Sequence, residues 1–146
     1  MIGTPMSIEL DVQWPYAFTR FDGLQTLPDL DAYIARMERE VHRRKQPYVG
    51  ITFLKKYSRE KEVVERMGKW MAASDKQTRE HCLAIAMVSS STGFRFLLSA
   101  LFVVQRMPCP YDVCGTFDEA IAFVQKEAHK RGLMLQPPKR PWADMP

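Results

Sequence analysis

The chain has 146 residues, 46% of them hydrophobic, and a net charge of +4, which suits one ordinary core and gives no strongly basic surface for nucleic acid. Its longest apolar stretch, Phe94 to Val104, is broken by Arg95 and Ser99 and falls far short of the roughly 20 residues that span a bilayer. The start of the chain lacks a basic segment followed by an apolar one, and the three cysteines show no CxxC spacing. A cytoplasmic protein with reduced thiols and no stable membrane insertion is therefore expected.

Ile8, Leu10 and Val12 alternate with Glu9, Asp11 and Gln13, a period of two that predicts a half-buried edge strand. Trp14-Pro15 interrupts it, Tyr16 to Phe21 resumes extended character, and Asp22-Gly23 closes a hairpin or a bent strand pair. Thr26 and Pro28 then open a helix as a hydroxyl cap and an early proline should. Leu30, Tyr33, Ile34, Met37 and Val41 form its apolar face, and Pro47 is expected to stop it. Tyr48 to Leu54 is a short apolar strand in which Gly50 suggests a close backbone approach.

Ser58 is placed as the cap of a second helix with Val63, Val64, Met67, Trp70 and Met71 on one face, ending near residues 73–76. Leu83 to Val88 is the next strand, and the hydroxyl-rich turn Ser89-Ser90-Ser91-Thr92-Gly93 leads into a helix from Thr92 to about Gln105. After the connector Met107 to Pro110, Tyr111 to Gly115 makes a final strand. Thr116 to Glu119 reads as a capping box for a last helix whose stripe is Phe117, Ala120, Ile121, Val124 and Ala128 and whose end is Gly132. The order ββαβαβαβα calls for an α/β domain with a mixed, mostly parallel sheet of about five strands and four helices over residues 1–133. Residues 134–146 are a Pro-rich tail without a core-forming pattern.

The runs PYAFTRFDG, DLDAYIARMEREV, YVGITFL, LAIAMV and YDVCGTFDEAIAFVQ, over roughly residues 6 to 131, resemble the SpoIIAA-like group of the STAS superfamily, which is related to SEC14. The resemblance implies an anti-sigma-antagonist-like fold whose relatives act as non-catalytic partners in signalling. It also implies a phosphorylatable serine in an Asp-Ser-Ser-Gly turn at the start of the second crossover helix. Here the turn reads Lys56-Tyr57-Ser58-Arg59, so only Ser58 matches. Lys56 and Arg59 would supply charge to a phosphate there, while the plain role of Ser58 is to cap the helix.

Ser89, Ser90, Ser91 and Thr92 form a second candidate phosphosite or anion site, because helix N-termini at the carboxyl edge of a parallel sheet offer unpaired N–H groups. Capping and turn chemistry explain the same residues, and no GxGxxG or GxxxxGK[ST] motif asks for a nucleotide. The third candidate is the helix from Thr92. Phe94, Leu97, Leu98, Leu101 and Phe102 already make a buried face, yet Phe96, Ala100, Val103 and Val104 put apolar groups on the remaining circumference. Either the tail around Trp142 covers this second face, or the face meets a protein partner, a second copy of the chain or an apolar ligand.

Enzymatic chemistry finds little support. His42, His81 and His129 are scattered without ligand spacing, His81 and Cys82 would point to opposite faces of a strand, and no G-x-S-x-G elbow exists. Cys109 and Cys114 would be redox-reactive if exposed. No cofactor, metal or nucleic acid is expected. The residues thus point to a non-catalytic interaction or regulatory module. Its alternatives are a carrier of a small apolar or lipid ligand, or a phosphorylation-controlled switch.

Overall fold

A computed structural model describes residues 7–56, 58–104 and 106–146, with residues 58 and 59 described in backbone only. Strand β1 (Ile8–Gln13) turns at the cis Trp14-Pro15 peptide and pairs antiparallel with β2 (Tyr16–Phe21), giving the expected hairpin. The two-residue β3 (Leu24–Gln25) precedes α1 (Leu27–Glu40), which Thr26 caps by accepting the Asp29 N–H at 3.4 Å. Helix α1 stops at Glu40, well ahead of Pro47, and passes through a 3-10 turn at His42–Arg44 to Lys45 in the left-handed region. Strand β4 (Tyr48–Leu54) and a short β5 (Ser58–Arg59) follow.

Next come α2 (Lys61–Ala73), α3 (Asp75–His81), β6 (Cys82–Val88), α4 (Thr92–Val104), β7 (Tyr111–Cys114) and α5 (Phe117–Lys130). The main sheet has the order β1-β2-β4-β6-β7, parallel from β2 to β7, while β3 and β5 form a separate parallel pair. The fold is the mixed α/β class that the alternation of strands and helices requires.

The differences from expectation have local causes. The α2 cap is Glu60, because Ser58 is drawn into β5 opposite Leu24, so Ser58 does not cap the helix. Helix α3 raises the count of α-helices among the described residues to five. Its sequence DKQTREH has no apolar stripe to betray it, and polar contacts such as Arg79 Nε to Asp75 Oδ2 at 2.7 Å hold it instead. On α2, Val63 and Met67 are buried but Val64 and Met71 are exposed, so the covered face is narrower than expected. A Cβ at Gly50 would meet Ile85 Cγ1 at 3.5 Å, an ordinary contact, so no close backbone approach exists there. Gly132 does end α5 in the left-handed region at φ +82°, where a Cβ would be strained.

Period-two alternation sorts side chains to the two faces of the sheet. Ala17, Phe21, Tyr48, Leu54 and Cys82 pack with Leu30, Ile34 and Met37 of α1 and Val63 and Met67 of α2. Phe18, Val49, Ile51, Phe53, Ala84, Ala86 and Val88 pack on the opposite face with Ala120, Ile121 and Val124 of α5. Helix α5 lies over β4, β6 and β7. Beside it, the polypeptide after Gly132 covers β1 and β2.

Tyr16 donates its hydroxyl to the Gln136 carbonyl at 2.9 Å, and the Gln13 amide pairs with both backbone groups of Lys139 at 2.9 Å. Asp144 accepts from Arg20 at 2.7 Å and Lys55 at 2.6 Å, and the Phe117 N–H donates to the Pro146 carbonyl oxygen at 2.6 Å. Between these tethers Met145, 2% exposed, enters the same cluster as Phe18 and Phe53. A segment without hydrophobic period thus completes one face of the core.

Met145→Ala should therefore cost about 2–5 kcal/mol in urea unfolding, as for any long core side chain. A loss indistinguishable from zero would mean that the tail is not docked. The hydrogen bond from Lys55 holds the Asp144 carboxyl below the usual range against the opposing effect of burial, and the charges of Arg20 and Lys55 add to the lowering. Its contribution is then complete above the unfolded carboxylate value of about 4 and fades as pH falls through the lower folded value. Asp144→Asn should flatten that acid limb in a plot of Tm against pH.

Candidate functional site

The carboxyl ends of β2, β4, β6 and β7 are in register, since Phe21 pairs with Leu54, Phe53 with Val88 and Val88 with Cys114. The turns that follow them therefore share one edge of the sheet. Ser58 lies on the second strand pair near this edge; its side chain lies outside the described residues.

In the turn after β6, Ser89 is buried and its N–H donates to the Cys114 carbonyl at 3.1 Å, prolonging the β6 to β7 pairing. Its Oγ accepts the Ser91 N–H at 3.2 Å, and Ser91 Oγ in turn accepts the Phe94 N–H at 3.1 Å, the bond of an N-cap. Arg95 reaches back from α4, donating to the Ser89 carbonyl at 2.6 Å and to Thr92 Oγ1 at 3.3 Å. Its guanidinium lies 3.2 Å from where a Cβ of residue 115 would stand, so Gly115 leaves it room. Ser90 is exposed. The hydroxyls and the arginine together clamp the start of α4 to the sheet.

The other end is held by aromatic contact. Phe102 meets Tyr111 edge-on with centroids 5.2 Å apart, and the Tyr111 hydroxyl donates to the Phe102 carbonyl at 3.3 Å. Between the anchors, Phe94 and Leu98 pack on the α1 side of the sheet. At 100° per residue Phe94, Leu98 and Phe102 share an arc, and Val103, Phe96, Ala100, Val104, Leu97 and Leu101 span about 160° of the rest. That rest is in solvent: Phe96 is 74% exposed, Leu97 64%, Leu101 45%, Val103 85% and Val104 83%. Ala100 is exposed as well.

Two expectations are corrected here. Leu97 and Leu101 do not belong to a buried face, because α4 packs on the sheet near its β7 edge and touches it along a narrow line. Trp142 does not cover the helix either. Like Phe123, Leu133 and Leu135, it packs against the core cluster on the α5 face, and with Pro141 it flanks a groove beside Ile8, Tyr33 and Arg36 at the β1 edge.

Neither a family model nor a curated protein matches the chain. A solved structure does: an uncharacterized protein of the DUF3478 family with a SpoIIAA-like fold, from Shewanella loihica PV-4, superposes with a TM-score of 0.65 at 10% identity. The match covers 85% of this chain and 99% of that one. The chain has a SpoIIAA-like fold.

Elsewhere on the SpoIIAA-like scaffold, polar chemistry is tied into packing. His42 is buried and shares Glu38 with Trp70, at 3.0 Å and 2.8 Å. Burial raises the Glu38 carboxyl, but the bonds from Trp70 and His42 more than offset this and leave it below its usual range. Among the described residues no group of three metal-binding side chains occurs, and no helix is long and apolar enough to cross a membrane. Cys114 is buried, and burial first, then Asp112 and Glu119, pushes its thiol up to about 12. Cys82 and Cys109, by contrast, meet with their sulfurs 3.7 Å apart. That pairing joins the base of β6 to the loop before β7, and sequence spacing carried no signal of it.

If the turn works as a clamp, Ser91→Ala should lower stability by about 1 kcal/mol in urea unfolding. Ser90→Ala should change it by less than half as much. Equal losses would show that Ser91 is not the cap.

Proposed function

We propose that the chain is a non-catalytic interaction module that docks through the outer side of α4, with a second copy of itself as the occupant. The observation that supports this is the exposure of Phe96, Leu97, Leu101, Val103 and Val104 on a helix anchored at both ends. Together these side chains present several hundred Å² of apolar surface, the size at which a patch on a soluble domain is usually functional. Burying each such side chain is worth about 1.5–3 kcal/mol. Association costs can be met from that sum, and the anchoring limits further ordering on binding.

Charge favours the second copy. From Phe96 to Val104 no residue is charged, so two such faces meet across a two-fold axis without like-charge repulsion. Antiparallel α4 helices would bring Phe96 of each chain toward Val103 of the other. The net charge of +4 resides elsewhere on the molecule and keeps undirected association unfavourable.

A carrier of an apolar ligand draws less support. The groove lined by Trp14, Pro47 and Pro137 and the one lined by Tyr33, Arg36 and Trp142 are both open to solvent. Native mass spectrometry over a concentration series separates the two readings. The expected result is a monomer–dimer equilibrium without added mass, shifted at least 100-fold toward monomer by Phe96→Glu with Val103→Glu, about 2.7 kcal/mol of lost dimer stability. The circular dichroism of that double variant should match the parent. A monomer that retains a lipid-sized adduct would overturn docking in favour of the carrier.

A further inference from the structure

Cys82 opens β6 with 1% of its surface exposed, and its thiol donates to the Ala84 carbonyl at 3.5 Å. Cys109 lies in the connector between α4 and β7, half-buried and outside any helix or strand, with its sulfur 3.7 Å from that of Cys82. A disulfide needs the two sulfurs about 2.0 Å apart. The remaining approach is less than the width of one atom, and it falls on loop atoms rather than on a strand. We propose that Cys82 and Cys109 are a reversible thiol–disulfide site, oxidised by a hydroperoxide. It is independent of docking through α4.

The two sulfurs have different surroundings, which divides the roles between them. Cys109 is held below the ordinary thiol value by the hydrogen bond to Cys82, against the opposing effect of burial, with the charges of Arg131 and Arg79 adding to the lowering. Cys82 is pushed up by the same hydrogen bond and by burial. Cys109, half-buried in a loop, is also the sulfur that a peroxide can reach, whereas Cys82 is 1% exposed. Cys109 is therefore the thiolate that attacks, and Cys82, turning its S–H from the Ala84 carbonyl to that thiolate, remains a thiol until its turn.

In the first step the Cys109 thiolate attacks one oxygen of hydrogen peroxide. An S–O bond forms, the O–O bond breaks, and the departing hydroxide takes a proton from solvent to become water. In the second step Cys82 sulfur attacks the sulfenic sulfur of Cys109. The S–S bond forms, the S–O bond breaks, and the hydroxide leaves with the Cys82 proton as a second water. Two electrons pass from sulfur to peroxide, and a dithiol reductant reverses the change. The product ties the connector that leaves α4 to the base of β6, a link between positions 27 apart in sequence. Cys114, buried and with its thiol pushed up, serves as an internal control.

The test is peroxide treatment of the reduced full chain, alkylation with iodoacetamide under denaturing conditions, and peptide mapping by mass spectrometry. The expected result is a Cys82 to Cys109 linked peptide lighter by two hydrogens, alkylated Cys114, and return of all three thiols after dithiothreitol. In Cys109→Ser, Cys82 and Cys114 should both remain alkylatable. Cys109 advancing to the sulfinic acid while Cys82 stays alkylatable would overturn the proposal. So would full alkylation of both cysteines after peroxide, or a link from either of them to Cys114.

Discussion

A sheet whose central strands are apolar on both sides must be covered on both sides, and the rest of this molecule follows from how that is met. Strand β4 sends Val49, Ile51 and Phe53 to one face and Tyr48 and Leu54 to the other, and β6 does the same with Ala84, Ala86 and Val88 against Cys82. Three helices serve one face. A single helix serves the other, too narrow for five strands, so the polypeptide beyond Gly132 is recruited and Met145 becomes a core residue. Its polar tethers to Gln13, Tyr16, Arg20 and Lys55 satisfy the backbone and charges that such a segment brings with it.

The helix-rich face has the opposite imbalance. Helices α1 and α2 fill the groove above β1, β2 and β4, and α4 is left toward the edge beside β7. Arg95 and Tyr111 hold its two ends in a placement that leaves Phe96, Leu97, Val103 and Val104 in solvent. A helix already held at both ends loses less conformational freedom on binding than a free one, which suits the proposed docking. The neighbouring edge strand is blunted, because Asp112 Oδ1 accepts the Val113 N–H at 2.9 Å and withdraws a donor from strand addition.

Most of the architecture was legible because it rests on local signals. Alternation in Ile8 to Gln13, the Thr26 cap, the Thr116 cap and the apolar stripe of α5 each act within a few residues and appear where expected, although Glu119 of the expected capping box accepts from the Gly115 N–H rather than that of Thr116. Helix α3 and strand β5 escaped notice because their sequences, DKQTREH and SR, are polar and no apolar period marks them. Periodicity identified α4 as apolar nearly all round, but which arc is covered depends on what stands beside it, so Leu97 and Leu101 were misplaced. The roles of Met145 and of the Cys82 to Cys109 pair depend on sheet register and chain path. Neither leaves a trace in residue spacing.

The most direct measurement is amide hydrogen exchange of the full chain at a series of protein concentrations. If α4 is the docking face, protection from Phe94 to Val104 rises with concentration while that of α1 and α5 stays constant. Exchange in α4 that is independent of concentration up to the millimolar range, or a rise in protection centred on another element, would contradict self-association through this helix.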